Sequence, residues 1–165
     1  MVSKITIRPQ HMTDAKRFYE ILNNDNFKYF DVRPKSIEDQ KIFLRANSEK
    51  RKKNIEYNYA ILLNGKLIGA VGLKIQQTRK FIGEIGYFVD EEHWGKGIAT
   101  KAVKLIEKIG FGKLKLKRIT IVMLTVNKGS MKVAEKAGYK REGILKKGLS
   151  NFGKHKDAYL YAKTK

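Results

Sequence analysis

Residues 84–100 read EIGYFVDEEHWGKGIAT. A β-branched and aromatic run ends near Val89, a short acidic loop follows, and Gly95 and Gly97 lead into a segment of helical period. The first turn of a helix has main-chain N–H groups without internal partners, and the helix dipole adds positive character there. Glycine lets an anion approach the backbone closely. Strand, Gly-x-Gly and helix in this order therefore make a cradle for a diphosphate, to which Lys96, Lys101 and the Thr100 hydroxyl can add contacts. Taken alone, a bare Gly-x-Gly is a weak signal that reads more readily as a capping turn. The Walker A pattern is absent, and so are the third glycine and parallel unit of a dinucleotide fingerprint.

Outward from this segment, the helix continues with Ile98, Ala102, Leu105, Ile106 and Ile109 on one face, ended by Gly110 or Gly112. Before it, Ile5–Ile7 predicts a first strand. Thr13 or Asp14 opens a helix to about Asn24, and Ser36 opens a second helix to about Lys53, with Ile37, Phe43 and Leu44 apolar. Residues 27–34 form a loop rich in aromatics. Tyr59–Leu63 and Leu67–Leu73 flank Asn64-Gly65-Lys66, a strong hairpin signal. Phe81–Val89 is a strand in which Gly83 and Gly86 suggest a bulge or a close approach. Ile119–Val126 reads as a buried central strand, Ser130–Ala137 as a short helix, and Tyr139–Leu149 with Ala158–Ala162 as a closing hairpin turning at Asn151–Gly153. The order is β-α-α-β-β-β-α-β-α-β-β, an α+β domain spanning 1–165.

The chain has 165 residues, 42% of them hydrophobic, enough for one core. No stretch is long and apolar enough to span a membrane, and the start MVSKITIRPQ lacks an apolar signal core, so a cytoplasmic location is expected. The absence of Cys excludes disulfides and a thiol nucleophile, and His11, His93 and His155 lack ligand spacing, so no metal is expected. The net charge is +20; residues 1–92 carry +5 and residues 93–165 carry +15. The second half suits an anionic partner: a phosphorylated cofactor, RNA, or an acidic protein surface. A lysine-rich solvated face accounts for the same charge.

A second block follows the first: Asn127-Lys128-Gly129-Ser130, then Val133 to Tyr139 (VAEKAGY), then Glu142-Gly143. With Trp94-Gly95-Lys96-Gly97-Ile98-Ala99, it resembles the signature of the GNAT acetyltransferases, [Q/R]-x-x-G-x-[G/A] followed by N-x-x-S…EK-x-G-[F/Y]…EG. Trp94 in place of Gln or Arg, the opening Ile7-Arg8-Pro9 and the late Asp157-Ala158-Tyr159 are similar to its RimJ/RimL-like branch. The resemblance implies a mixed, mostly antiparallel, twisted sheet of about seven strands, helices on both faces, and a splay between the fourth and fifth strands.

It further implies acetyl-CoA as cosubstrate. Main-chain groups of Tyr87, Phe88 and Val89 would pair with the pantetheine arm. The amides of Gly95, Lys96, Gly97, Ile98, Ala99 and Thr100 would hold the diphosphate, and Asn127 would anchor the arm; as a lone residue after a strand Asn127 is more often a turn former, and its place three residues before Ser130 in the matched block is what favours a ligand contact. The reaction implied is acyl transfer from a thioester to a primary amine, with a protein N-terminal α-amine of ribosomal-protein type preferred. A small-molecule amine (polyamine, aminosugar or antibiotic) and a non-catalytic basic RNA- or ribosome-binding module are the alternatives, with a CoA-binding regulatory domain behind them. Glu84 is the candidate base, acting through water, or else a surface carboxylate paired with Lys74, Arg79 or Lys80. Asp90, Glu91 and Glu92 read as a solvated loop. Ala134 stands where many members have an acidic Tyr; Ser130 is the nearest hydroxyl to replace it, or else the N-cap of its helix. A monomer or a homodimer fits.

Overall fold

The computed structural model describes residues 4–31 and 33–165. Met1–Ser3, part of the start read for targeting, and Val32, within the aromatic loop, lie outside the described residues. The strands are β1 (Ile5–Pro9), β2 (Glu56–Leu63), β3 (Lys66–Ile75), β4 (Ile82–Val89), β5 (Arg118–Leu124), β6 (Lys140–Asn151) and β7 (Lys154–Thr164). They form one sheet in the order β1-β2-β3-β4-β5-β7-β6. The helices are α1 (Ala15–Leu22), α2 (Ile37–Lys52), α3 (Ile98–Lys108) and α4 (Lys128–Lys136). This is the expected α+β architecture, and among the described residues no helix is long and apolar enough to cross a membrane.

Local chemistry sets the element ends. Asn64 and Gly65 both take positive φ (50° and 83°), which suits the tight turn between β2 and β3. Ser36 Oγ accepts from Asp39 N–H at 3.1 Å and caps α2. Acids in the first turn of α2 and Lys50, Arg51 and Lys52 in its last complement its dipole. Of the apolar residues Ile37, Phe43 and Leu44 of α2, Leu44 is buried while Ile37 and Phe43 are exposed, and Lys50 Nζ lies over the Phe43 ring.

Two cores sit on opposite faces of the sheet. α3 buries Ile98, Ala102, Val103 and Ile106 against Val71, Leu73, Ile85 and Ile119; Val103 takes the place expected for Leu105 and Ile109, which remain partly exposed. Ala15, Phe18 and Leu44, from α1 and α2, pack on Ala60 and Ala70, with Phe88 against them. Gly110 does not stop α3. The chain continues through a wide π-helical turn, Ile109–Lys113. A Cβ on the buried Gly110 would lie 2.7 Å from Ile119 Cδ1, so a larger residue there would have to displace the tip of the Ile119 side chain. Gly83 is likewise a close approach: its Cβ would meet Leu116 and Leu73 at 2.8 Å, while β3 and β4 pair without a bulge.

The parallel pairing of β4 and β5 is short. It joins Ile82–Glu84 to Arg118–Thr120 and stops. Beyond Glu84, β4 stays paired with β3 as far as Val89, and β5 stays paired with β7 as far as Leu124. Each strand keeps its own antiparallel ladder, and the sheet opens into a split. The central strand ends at Leu124 rather than the expected Val126, which is exposed.

Candidate active site

Strand alternation decides what faces the split. Asp90 N–H donates to the Ile68 carbonyl at 2.7 Å, which makes Asp90/Ile68 and Phe88/Ala70 the hydrogen-bonded pairs of β3 and β4. The N–H and C=O groups of Tyr87 and Val89 therefore aim at the open side. Those of Phe88 face β3, so Phe88 does not offer the split the main-chain pairing expected of it. One of the exposed acceptors is engaged: Trp94 Nε1–H donates to the Val89 carbonyl at 2.6 Å.

At the end of the split α3 begins. Gly97 is its N-cap with φ 74°, and no side chain caps the helix. Lys101 N–H reaches the Gly97 carbonyl, whereas the N–H groups of Gly97, Ile98, Ala99 and Thr100 have no hydrogen-bond partner among the described residues. A Cβ built on Gly95 or Gly97 would meet nothing within 4 Å, so the helix start is open.

A cavity of about 540 Å³ lies in front of it. Its wall includes Tyr87, Phe88 and Val89 from β4, then Gly95, Gly97, Ile98, Ala99 and Thr100, then Asn127 and Ser130. Ten of the twelve residues singled out from the sequence are thus brought together. Lys96 is not: its Nζ turns back to the Glu92 carbonyl at 2.7 Å. Glu84 is the other. It precedes Gly86 by two residues on the same face of β4, about 7 Å away at strand rise. Crowding around its carboxyl raises its pKa, opposed in part by Lys74 directly across on β3.

The cations of this wall are Lys28, Lys132 and Lys136. The sequence reading missed them in favour of Lys96 and Lys101; the i, i+4 spacing of Lys132 and Lys136 on α4 was the available signal. The acids are drawn away from the helix start. Arg17 pairs with Asp90, and Asn24 and Asn26 each donate to Glu91 at 2.6 Å and lower its pKa. Asp90 and Glu91 are therefore not part of the solvated loop expected, because α1 and its following loop supply donors from far along the chain, whereas Glu92 is exposed. Asp90, Glu92 and His93 bring ligand-type atoms within 4.8 Å of one another, but Asp90 is engaged by Arg17.

A second cavity of about 170 Å³ lies in the split itself, between Ile85 and Gly86 on one side and Ile121, Val122, Met123 and Leu124 on the other. The two cavities share Tyr87, Asn127 and Ser130, so a molecule filling one meets a molecule filling the other there. Among the described residues, neither wall carries a carboxylate. Tyr29 and Phe30 reach both cavities. Their loop is tied to the β6–β7 turn: Asn151 Nδ2–H donates to the Lys28 carbonyl at 3.1 Å, and Phe152 N–H donates to Asp31 Oδ2 at 3.1 Å.

Ser130 is in the first turn of α4 and is not its cap. Asn127 fills that position, its Oδ1 accepting from Ser130 N–H at 3.1 Å, so the helix begins two residues earlier than expected. The cap leaves the Asn127 amide nitrogen available at the cavity wall.

An acetyltransferase (GNAT) domain model matches residues 4–140. The chain is 36% identical over 167 residues to the probable N-acetyltransferase YjcK of Bacillus subtilis (strain 168), covering 96% of this chain and 92% of that protein. Among solved structures, the ribosomal-protein-S5-alanine acetyltransferase of Vibrio fischeri is 27% identical at a TM-score of 0.86, covering 99% of this chain and 97% of that one. Mycobacterium smegmatis RimJ, solved in complex with CoA-disulfide, has the same fold at a TM-score of 0.89 and 23% identity, covering 97% of this chain and 81% of that one. The chain belongs to the GNAT N-acetyltransferase family, in its RimJ/RimL-like branch.

Proposed function

We propose that this protein transfers the acetyl group of acetyl-CoA to the N-terminal α-amine of a protein. The observation that carries the reading is the row of unpartnered N–H groups from Gly97 to Thr100 opening onto a cavity that continues into the β4–β5 split. Those amides hold the diphosphate, with Lys132 and Lys136 alongside. The open main-chain groups of Tyr87 and Val89, with Asn127, hold the pantetheine arm. The thioester then lies where the two cavities meet, beside Ser130.

The acceptor amine enters from the smaller cavity. Its walls favour an α-amine over a polyamine. A polycation gains nothing from walls without carboxylates in a chain of net charge +20. An α-amine, with a pKa of about 7.7–8.0, is already partly neutral and needs little help from a base. Glu84, outside both walls, takes the amine proton through water. The amine nitrogen bonds to the carbonyl carbon, the carbon–sulfur bond breaks, and the Ser130 hydroxyl donates a hydrogen bond to the leaving sulfur, which is protonated from solvent. The S5-alanine acetyltransferase of Vibrio fischeri, by its name an enzyme of ribosomal protein, supports the same acceptor class.

The test is mass spectrometry of a panel of peptides and small amines incubated with the protein and acetyl-CoA. Acetylation at peptide α-amines, with polyamines and aminosugars untouched, is expected. Preferential acetylation of a small amine, or of lysine side chains, would overturn the acceptor assignment.

A further inference from the structure

The Tyr87 side chain crosses from β4 to α4. Its hydroxyl lies 2.7 Å from Ser130 Oγ and 3.4 Å from the Ser130 carbonyl oxygen. The first is an ordinary O–H···O distance, and the second is at the edge of bonding. Burial pushes the Tyr87 hydroxyl up to about 12, against the opposing effect of its bond to Ser130, so it stays protonated throughout the physiological range. At that distance either hydroxyl can be the donor; of the two acceptors open to the Tyr87 proton, Ser130 Oγ is nearer than the Ser130 carbonyl. Ser130 is held from the other side as well, because its N–H is bonded to Asn127 Oδ1. Its hydroxyl makes no further hydrogen bond among the described residues. Once its oxygen has accepted from Tyr87, its own hydrogen is left to point into the space where the two cavities join.

We infer that Tyr87 is a positioning residue: it donates to Ser130 Oγ and thereby fixes Ser130 as the hydrogen-bond donor to the thioester sulfur. No proton leaves Tyr87 in this arrangement. The inference rests on the cofactor placement and the Ser130 role proposed above. It assigns to Tyr87 a side-chain function distinct from its main-chain contact.

The test uses coenzyme A itself and needs no acceptor. The pKa of the bound CoA thiol is read from thiolate absorbance, as a difference against the complex with desulfo-CoA. It is compared in the unmodified protein, Tyr87→Phe, Ser130→Ala and the double variant. Loss of a hydrogen bond to the thiolate raises the thiol pKa; about one unit, a tenfold change in the thiol–thiolate ratio, is expected for Ser130→Ala. Tyr87→Phe should raise it by at least about half as much. The double variant should rise no further than Ser130→Ala, since Tyr87 acts only through Ser130. Affinity for desulfo-CoA should stay within about twofold across the set, because no sulfur contact is involved.

Three results would overturn the inference about Tyr87 alone, with Ser130→Ala behaving as expected: an unmoved thiol pKa in Tyr87→Phe, additive shifts in the double variant, or loss of desulfo-CoA affinity in Tyr87→Phe, which would make the ring a packing element. An unmoved thiol pKa in Ser130→Ala, or no binding of CoA by the unmodified protein, would remove the reading of Ser130 or of the cofactor, and this inference with it.

Discussion

The Trp94 indole N–H donates to the Val89 carbonyl at 2.6 Å, closing a loop from the last residue of β4 to the residue before Gly95. It does so from a ring that packs edge-on against Phe27, with centroids 5.4 Å apart. The contact fixes the strand end relative to the helix start, the two parts proposed above to hold one cofactor together. It also takes one acceptor position of a carbonyl that faces the split.

Trp94 is the only tryptophan, and it lines the larger cavity. Its fluorescence should therefore report acetyl-CoA directly, as a saturable change in emission. Trp94→Phe keeps an aromatic ring but loses the donor. A neutral hydrogen bond is worth about 1 kcal/mol, so acetyl-CoA affinity should fall by about fivefold in calorimetry with the fold intact; unchanged affinity would show that the contact is incidental.

Gly97 is needed for its backbone, not for space. Its φ is 74°, and a Cβ there would meet nothing within 4 Å of the protein. Gly97→Ala should cost about 1–2 kcal/mol of stability, the usual penalty for an L residue in this region. The added methyl stands at the mouth of the proposed diphosphate site, so acetyl-CoA affinity should fall by at least about tenfold. Thermal melts with and without acetyl-CoA separate the two effects: a lower melting temperature with an undiminished ligand shift would refute the second.

Glu84 gives a pH signature. Burial raises its carboxyl above the ordinary range, with Lys74 in partial opposition. A base works only when deprotonated, so kcat/KM should fall as pH drops through that raised pKa. Glu84→Gln should lower kcat by about 10²-fold or more and abolish this acid limb, while acetyl-CoA affinity is retained. An unchanged profile would return Glu84 to the role of a surface carboxylate.

Arg8 and Asp14 should govern the acid stability of the junction between β1 and α1. The guanidinium donates to both carboxylate oxygens at 2.8 Å, and His11 N–H donates to Asp14 as well. Burial would raise the Asp14 pKa, but the bonds from Arg8 and His11 outweigh it and leave it lowered. Its contribution is thus present above the unfolded value of about 3.9 and is lost as pH falls through the lower folded value. Arg8→Gln should destabilise by about 1–3 kcal/mol near neutrality, since a third of the Arg8 side chain is exposed while Asp14 is buried. It should also flatten the acid dependence seen in denaturant melts; a neutral substitution with unchanged acid dependence would contradict this.

What could be read from the chain was local. Asn64-Gly65, Ser36 and Gly97 announce their turns and caps through backbone preferences that neighbours do not override. The open helix start follows from the same logic, and the paired sequence blocks locate the split. Interactions between distant residues were not legible. Nothing near Asp90 or Glu91 in sequence shows that Arg17 pairs with the first and that Asn24 and Asn26 donate to the second, across separations of 65 to 73 residues. Ser130 could not be told from a cap until Asn127 was seen to accept from its N–H. The direction of the Lys96 side chain likewise depends on a carbonyl that only the folded loop presents.

In the proposed function, the N–H groups at the start of α3 and the open edge of β4 together grip acetyl-CoA. Amide-resolved NMR during an acetyl-CoA titration tests this most directly. The largest shift changes should fall on Gly97, Ile98, Ala99 and Thr100, with a second group at Tyr87 and Val89, all saturating with one affinity. Changes confined to another face of the sheet, or no saturable change at these amides, would contradict it.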